Sequence, residues 1–377
     1  MKLVQLAKFF PPEPGGIESV TEQIRLLLRK ASIPSSVLAF TRFPRPPKND
    51  PPEILRRRAC GTLASLPISP GYLPESLRQM RRHDFVVFHL PNPYLLLAAL
   101  LTPKRGRKWI LWWHSDIIRQ RFMRIFYRPF ERLLIHRADA VVAASPVHLD
   151  TSDHASQFSG KRHIIPFAPA PIFFHPRPAD RRRGQAIQRK WKGRPIVFAC
   201  GRLVYYKGFE VLIEAAKRLS PETVVLIAGE GELRRKLQTL IHHGGLQERV
   251  HLIGEVTEAE LLAHYLACRV FCLPSTHRSE MFGIVQIEAM ALGRPVVSTD
   301  IPGSGVPWVN RHNVTGEVVP PGDAAALADS LTRILTQKAR WARLARGAAR
   351  DAKKRFHPDQ IGTAFVRLIR ALEARPR

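Results

Sequence analysis

The stretch that decides the fold is "VFCLPSTHRSEMFGIVQIEAMALGRPVVSTD", residues 270–300. It begins and ends with short apolar runs, VFCLPS and PVVSTD, that are typical of buried strands, and a longer segment of helical character separates them. Two parallel strands joined by a crossover helix form a right-handed βαβ unit. This stretch therefore predicts part of a parallel sheet covered by helices.

The same alternation of strand and helix runs through the rest of the chain. The predicted strands of the first half are KLVQLAKF, SSVLAF, FVVFHL, WILWWH and AVVAAS, and those of the second half are PIVFACG, VVLIAG, VHLIG, VFCLPS, PVVSTD and GEVVPP. Because 377 residues exceed the usual size of a single core, two domains are expected. We therefore predict an α/β protein with two doubly wound, Rossmann-like domains that face each other across a cleft.

The domain boundaries follow from composition. Residues 167–195 are rich in Pro and Arg and are predicted to be an interdomain linker between domains 1–166 and 196–355. A C-terminal helix, 356–377, is expected to pack back on the first domain. A second Pro- and Arg-rich stretch, 41–58, is predicted to be a mobile loop inside the first domain.

The formal net charge of +28 is the most unusual bulk property and indicates an anionic partner. Nucleic acid, an anionic membrane surface and phosphorylated ligands are the candidates. Arginines recur at helical spacing beside apolar residues in the segment Arg119–Arg132, although Pro129 is expected to kink or interrupt that helix. The segment is either an interfacial helix on acidic lipid or a solvated basic face packed on its own domain. With no recognisable recognition module in the chain, no nucleic-acid partner is expected.

The cysteines and apolar segments bear on location. Cys60, Cys200, Cys268 and Cys272 are scattered and support neither a disulfide framework nor a zinc knuckle, which favours a reducing cytoplasm. The N-terminal apolar run is too short for a signal peptide, and YLLLAALL near residue 94 falls far below the roughly 20 residues of a spanning helix. We therefore expect a cytoplasmic protein that does not cross a membrane.

Glycines and cations follow several predicted strands. Gly15 and Gly16 come after the first strand and before a helix, where backbone amides could hold a phosphate or where the chain simply needs a tight turn. Arg202 and Lys207 follow the strand PIVFACG, so both cations could converge on one diphosphate. They could also be surface cations, although positive charge near a helix start is unfavourable. No P-loop motif is present.

Two glutamates flank the helix of the opening stretch. Helix amides near Phe282 and Gly283 suit an anion, while the carboxylates of Glu280 and Glu288 suit sugar or ribose hydroxyls. Glu288 lies among apolar residues, where partial burial is costly without a partner. A further turn at Gly254 could wall a nucleotide pocket or be an ordinary connection.

In combination, the glycine loop, GRL-x3-KG and ExFGxxxxEAMAxGxPVV resemble glycosyltransferase family 4, the retaining nucleotide-sugar glycosyltransferases with the GT-B fold. The resemblance spans nearly the whole chain. It implies that the first domain binds the acceptor and the second binds the nucleotide sugar.

The resemblance also implies roles for residues at matching positions. Gly15 and Gly16 match the loop beneath the donor diphosphate, and Arg202 and Lys207 match the cations that hold it. Glu280 matches the glutamate beside the donor sugar, and Glu288 matches the one that holds the ribose. The remaining donor-binding matches are the phosphate-facing amides and the segment that receives the base through backbone atoms, at Phe282, Gly283, Gly254, Glu255 and Val256.

Chemistry at the reacting centre is implied for His114, which follows the strand WILWWH. A single histidine is more often structural, but this one is similar in position to the histidine that reaches the reacting centre in the family. Asp116 could orient it or contact the acceptor. The resemblance implies front-face displacement with retained configuration, in which cations replace a metal, and no cofactor. The chain accordingly lacks an Asp-x-Asp motif.

Two positions depart from the family pattern: Ala168 stands where glycine is usual, and Met281 adds bulk beside the donor sugar. The strings WWHSDIIRQ and IPGSGVPWVN look most like bacterial mannosyl- or rhamnosyltransferases of surface-polysaccharide assembly. This suggests GDP-mannose, a glycan or polyprenyl-diphosphate-linked acceptor, and a peripheral position on the inner membrane face. The alternatives are a non-catalytic GT-B partner, an enzyme that hydrolyses or epimerises nucleotide sugars, and a basic nucleic-acid-binding protein.

Overall fold

The computed structural model describes residues 1–13, 16–44, 47, 50–63, 66–114 and 121–375, and of residues 63, 66 and 121–126 it describes only the backbone. The chain divides into two units. Unit 1 comprises Met1–Ala168 and Pro358–Arg377, and unit 2 comprises Pro169–His357.

The strands come from the apolar runs identified above, together with four short additions. In chain order they are β1 Leu3–Leu6, β2 Ser35–Thr41, β3 Ile54–Arg58, β4 Gly61–Leu63, β5 Leu66–Ile68, β6 Phe85–Leu90, β7 Lys108–Trp113, β8 Ala140–Ala143, β9 Arg162–Ile164, β10 Ile196–Cys200, β11 Val224–Ala228, β12 Val250–Gly254, β13 Val270–Leu273, β14 Val296–Thr299 and β15 Gly316–Val319. The four additions are β3, β4, β5 and β9.

The helices lie between the strands. They are α1 Gly16–Lys30, α2 Tyr72–Arg82, α3 Pro93–Leu101, α4 Arg121–Arg137, α5 Pro146–Asp150, α6 Pro178–Lys190, α7 Phe209–Ala216, α8 Arg234–His243, α9 Glu258–Ala267, α10 Ile284–Ala291, α11 Val306–Val309, α12 Ala324–Thr336, α13 Lys338–Arg355 and α14 Pro358–Glu373.

Unit 2 is a six-stranded parallel sheet in the order β12-β11-β10-β13-β14-β15. Numbered within the unit this is 3-2-1-4-5-6, the order of the Rossmann fold. Strand order reverses between β10 and β13, and ligands of open α/β sheets bind at such a switch point, beyond the carboxyl ends of the strands. The prediction of doubly wound parallel sheets is confirmed.

Unit 1 holds a seven-stranded parallel sheet in the order β3-β2-β1-β6-β7-β8-β9, which switches between β1 and β6. Its two faces carry separate apolar clusters because side chains alternate along each strand. Val86 and Phe88 belong to one cluster, whereas Phe85 and Val87 belong to the other, which also includes side chains of α1 and α14.

Three local expectations are wrong in whole or in part. Residues 167–195 are not irregular, because Pro178–Lys190 forms α6, which packs within unit 2 so closely that a Cβ on Gly184 would lie 2.9 Å from Cβ of Leu266. Pro129 does not interrupt its helix, because α4 runs continuously from Arg121 to Arg137. The stretch 41–58 is likewise not all loop, since its last residues form β3.

Candidate functional site

The loops after β10 and β13 lie at the switch point of unit 2. The two strands are parallel neighbours, so both loops leave the same edge of the sheet. The first loop ends in a short 3-10 helix, Tyr205–Lys207, and the second carries Glu280 ahead of α10. The amide of Thr276 donates to the carbonyl of Tyr206 at 2.9 Å and ties the two loops together.

Lys207 and Glu280 form an ion pair at this edge. The Nζ of Lys207 lies 2.6 Å from Oε2 of Glu280, and the two side chains are only 10% and 11% exposed. The hydroxyl of Ser275 donates to the same carboxylate oxygen at 3.1 Å. Burial acts to lower the pKa of Lys207, but the Glu280 carboxylate outweighs it and the pKa lies above its ordinary value. Lys207 is therefore held as a cation.

Two glycines make room for the pair. A Cβ on Gly201 would lie 2.9 Å from Cε of Lys207, so a side chain there would displace the lysine. Gly208 has φ of +65°, and a Cβ on it would lie 2.1 Å from the carbonyl oxygen of Pro274. Only glycine fits where the chain approaches the neighbouring loop this closely. The GRL-x3-KG motif is thus a packing requirement around Lys207.

Arg202 leaves the same strand end but lies outside the ion pair. Arg202 is exposed, and its guanidinium donates to the Tyr206 hydroxyl at 3.1 Å. The neighbouring Tyr205 hydroxyl lies 3.1 Å from Oγ of Ser279, on the loop after β13. At this edge Lys207 is therefore a buried cation and Arg202 an exposed one.

Glu288 lies on α10 and accepts a hydrogen bond from a buried tyrosine. The Tyr265 hydroxyl donates to Oε2 of Glu288 at 2.8 Å and lies 3.3 Å from the Cys200 thiol. Burial raises the pKa of Glu288 to about 7, although the Tyr265 hydrogen bond acts in the opposite direction. This carboxyl group therefore titrates near neutral pH. Its second oxygen, Oε1, is not used by the hydrogen bond from Tyr265.

Phe282 and Gly283 precede α10 as predicted, but the phenylalanine side chain is not available to a ligand. It is 4% exposed and packs near the rings of Trp308 and Phe356. Gly283, with φ of +69°, is the residue before the first turn of α10. Any anion contact here must use the backbone.

Gly254 is the last residue of β12, and Glu255 and Val256 follow it at the same edge of the sheet. The carbonyl of Gly254 accepts from the amide of Gly229 at 2.7 Å, which joins the turns after β11 and β12. Glu255 is exposed and Val256 half-buried, ahead of the capping box of Thr257 on α9. The segment lies two strands away from β10, beyond β11.

The predicted residues of unit 1 are only partly described. His114 follows β7 and is 6% exposed, with Nε2 at 3.0 Å from Nδ1 of His89. Burial lowers the pKa of His114 well below its ordinary value, and His89 and His148 add to that effect. Gly16 begins α1, whereas Gly15 and Asp116 lie outside the described residues.

The prediction missed several residues that support the site. Ser275 and Tyr265 hold the two glutamates, and Gln5 and His89 hold His114. Their only signal in the sequence is position: Ser275 and His89 lie at or just beyond the carboxyl end of a predicted strand.

Family models match both units. One described as "Glycosyl transferases group 1" matches residues 180–354, and one described as "Glycosyltransferase Family 4" matches residues 14–167. The chain is also 31% identical to the D-rhamnosyltransferase WbpZ of Pseudomonas aeruginosa over 334 residues, which cover 88% of this chain and 86% of that protein. The chain is a family 4 glycosyltransferase. A second relative, the O-antigen chain mannosyltransferase C of Escherichia coli, is 28% identical over 99% of both chains.

Solved structures agree with the GT-B fold of this glycosyltransferase. Sucrose-phosphate synthase from Thermosynechococcus elongatus matches with a TM-score of 0.80 at 22% identity over 99% of both chains. The Anabaena protein Alr3699/HepE, in a complex with UDP and glucose, matches with a TM-score of 0.79 at 19% identity over 98% of this chain and 100% of that one. At these identities the likeness concerns the fold alone.

Two kinds of feature are absent from the described part of the glycosyltransferase. Among the described residues there is no group of three or more His, Cys, Asp or Glu side chains arranged to hold a metal ion. Within those same residues, no helix is both long enough and apolar enough to cross a membrane.

Proposed function

We propose that this glycosyltransferase moves a hexose, with retention of configuration, from a nucleotide-diphosphate sugar to a growing lipid-linked glycan of a cell-surface polysaccharide. The observation that carries the proposal is the buried Lys207–Glu280 ion pair at the switch point of unit 2. Burying a cation and a carboxylate is costly unless they are paired, and such groups are typical of functional sites.

The proposed donor roles are those that the resemblance to the family implies. Lys207 and the exposed Arg202 neutralise the diphosphate, with backbone amides of Gly15, Gly16, Phe282 and Gly283 as further partners. Glu280 accepts hydrogen bonds from the sugar hydroxyls, and Glu288 accepts from the ribose. The turn Gly254–Val256 receives the base through backbone atoms.

The proposed reaction breaks the bond between the anomeric carbon and the diphosphate and forms one to an acceptor oxygen on the same face. The acceptor hydroxyl loses its proton to the departing diphosphate, whose charge Lys207 stabilises without a metal cofactor. A nucleoside diphosphate and a lengthened glycan are the products. His114 contacts the reacting hydroxyl groups, and Asp116 orients it or contacts the acceptor.

GDP-mannose is the proposed donor. Support comes from two relatives that match most of their length, one named a mannosyltransferase and the other a D-rhamnosyltransferase. The half-buried Met281 lies beside Glu280 and its carbonyl accepts from the amide of Gly305 at 2.8 Å. Because this side chain adds bulk next to the donor sugar, it is the residue that we expect to restrict which hexose fits.

Radiolabelled transfer with purified protein tests the proposal. GDP-mannose, GDP-glucose, UDP-glucose and UDP-galactose are each supplied with a polyprenyl-diphosphate-linked glycan, and the anomeric configuration of the product is read by NMR. We expect mannose transfer with retention, its loss in Glu280→Gln, and full activity in Lys236→Ala, which removes an exposed lysine of the same unit. Inverted configuration contradicts the mechanism. Donor binding without transfer to any acceptor would favour a non-catalytic partner.

We also propose that unit 1 binds the anionic inner membrane face, where lipid-linked acceptors are found. Arg119 and the side chains of Arg121 and Arg124 lie outside what the structure describes, and Arg128 is paired with Asp153 at 3.1 Å. The described support is apolar: Leu97 and Leu101 on α3 and Phe130 and Leu133 on α4 are 44%, 52%, 44% and 42% exposed. Arg137 joins these helices by donating to the carbonyls of Ala99 and Thr102.

Vesicle flotation tests the membrane proposal. The double variant Leu101→Asn/Leu133→Asn should lose binding to phosphatidylglycerol vesicles, because it removes two exposed apolar side chains from adjacent helices. Leu26→Asn is the matched control, since Leu26 is 48% exposed on α1. Equal binding of both variants would contradict the proposed surface.

A further inference from the structure

A row of three polar side chains crosses the switch point of unit 1. Gln5 lies on β1, His89 on the neighbouring β6, and His114 directly after β7, which is the next strand of the sheet. Nε2 of His89 lies 3.1 Å from Oε1 of Gln5, and Nδ1 of His89 lies 3.0 Å from Nε2 of His114. Gln5 and His89 are completely or almost completely buried, at 0% and 2% exposure.

The direction of every hydrogen bond in this row is fixed from one end. Nε2 of Gln5 donates to the backbone carbonyl of Thr21 at 3.2 Å, and a carbonyl can only accept. The amide oxygen of Gln5 therefore faces His89, so Nε2 of His89 must carry a proton.

The remaining protons follow by the same logic. A neutral imidazole carries one proton, so Nδ1 of His89 has a lone pair and Nε2 of His114 must donate to it. Burial lowers the pKa of His89 to about 3, which excludes the doubly protonated ring near neutral pH. The His114 ring is thereby held with its proton on Nε2 and a lone pair on Nδ1.

Packing holds the rings in place as well. The His89 ring stacks on Trp112 and on His114, with centroid distances of 5.9 and 5.3 Å and interplanar angles of 12° and 13°. Nδ1 of His114 is buried and has no hydrogen-bond partner among the described residues. A buried lone pair without a partner is costly, and a ligand hydroxyl is the group that would satisfy it.

We infer that Gln5 and His89 are positioning residues, which hold His114 in one orientation and one tautomer so that Nδ1 accepts a hydrogen bond from a substrate hydroxyl. The inference rests on the proposed sugar transfer for its substrate, but the tautomer itself does not. A ring in this state cannot donate to a phosphate oxygen from Nδ1. It therefore recognises the hydroxyl groups of the sugar or the acceptor and leaves the diphosphate to the cations of unit 2.

Nitrogen-15 NMR of histidine-labelled protein tests the tautomer without any substrate. The His114 signals, assigned by their loss in His114→Gln, should show Nε2 protonated and Nδ1 unprotonated. Gln5→Met keeps the side-chain volume but removes the acceptor for His89, so both tautomers of His114 should then be populated. A wild-type ring protonated on Nδ1, or a spectrum unchanged by Gln5→Met, would overturn the inference.

Kinetics supply the second readout. His89→Phe keeps the ring stack and should lower kcat by about 10- to 100-fold, the usual cost of removing a partner that orients a functional histidine, with little change in the donor KM. His89→Gln returns a donor and an acceptor and should recover part of the rate. His83→Phe is the matched control, since His83 lies before the amino end of β6, where its Nδ1 is 2.8 Å from the carbonyl oxygen of Gln79.

The outcomes separate the two proposals. If wild-type protein transfers no sugar, the proposed function fails, whereas the NMR spectra still decide the tautomer. If transfer occurs and His89→Phe matches His83→Phe in kcat, the positioning role is wrong. Thermal unfolding of each variant distinguishes a loss of fold from a loss of orientation.

Discussion

The switch points of the two units are built from opposite kinds of polar group. In unit 2 a full cation and a carboxylate meet at 2.6 Å, with a second carboxyl group nearby on α10. In unit 1 three neutral side chains are joined by hydrogen bonds whose direction is fixed by a backbone carbonyl. A charged pair can stabilise developing charge on a leaving group, whereas a neutral row can only orient and accept. We therefore propose that unit 2 supplies the cations for the diphosphate, and that His114 of unit 1 accepts a hydrogen bond from a substrate hydroxyl.

The largest expected effect is that of Lys207→Ala. It removes the cation that we propose neutralises the diphosphate, and it leaves the buried Glu280 carboxylate without its ion-pair partner. Transfer should fall by about 100- to 1,000-fold, and the free energy of unfolding should fall by about 3 to 5 kcal/mol. Lys236→Ala, which removes an exposed ammonium group 3.6 Å from the half-buried Glu210, is the control and should change neither quantity measurably. Equal results for the two variants would contradict the proposed role of the Lys207–Glu280 ion pair at the switch point of unit 2.

His114→Gln should slow the chemical step without weakening donor binding. Because the ring is neutral and its role is to accept, kcat should fall by about 100-fold while the donor KM stays near the wild-type value. Steady-state kinetics with a fixed acceptor concentration measure this. A raised donor KM with unchanged kcat would instead place His114 among the donor-binding groups.

Glu288→Gln gives a pH-dependent difference in stability. The folded-state pKa of Glu288 is about 7, against an ordinary value of 4.5, so the folded protein keeps a proton that the unfolded chain releases. Wild-type stability from this group is therefore complete below about pH 4.5 and is lost as pH rises to about 7, by up to about 3 kcal/mol. The glutamine does not titrate, so the free energy of unfolding of the variant, measured with urea, should rise relative to that of wild type between pH 5 and pH 8. Parallel curves would contradict the burial argument.

Arg202→Gln is the smallest of these changes. Arg202 is exposed and outside the ion pair, so its loss should leave the free energy of unfolding within about 0.5 kcal/mol of wild type. Donor affinity should still weaken by about tenfold, since one of two diphosphate cations is removed. Calorimetric titration with the donor measures it, and unchanged affinity would leave Lys207 alone in that role.

The sheets could be predicted because parallel strands are apolar on both faces. Strand β3 was not predicted because its sequence, ILRRR, has the composition of a solvent-exposed segment. Arg56 is in fact buried, and the carboxylates of Asp50 and Glu13 neutralise it. Helix α6 was not predicted for a related reason. Of its residues only Asp180 and Gly184 are buried, so its sequence has no apolar stripe at helical spacing.

The charged half of the site could be predicted and the neutral half could not. Lys207 and Glu280 stand out because charge directly after a buried strand needs an explanation. Gln5 and His89 lie within strands, 84 residues apart, and their relation exists only once β1 and β6 are neighbours. Tyr265 likewise looks like a core residue, and only its 2.8 Å bond to Glu288 gives it a part in the site.

Donor-dependent thermal unfolding tests the central claim most directly, because it asks whether a nucleotide sugar binds where the ion pair lies. At 100 times the dissociation constant, GDP-mannose should stabilise the wild-type protein by about 2.7 kcal/mol, and Lys236→Ala equally. Lys207→Ala should show no such gain at the same concentration. A gain that survives Lys207→Ala, or none with any nucleotide sugar in the wild type, would contradict the account.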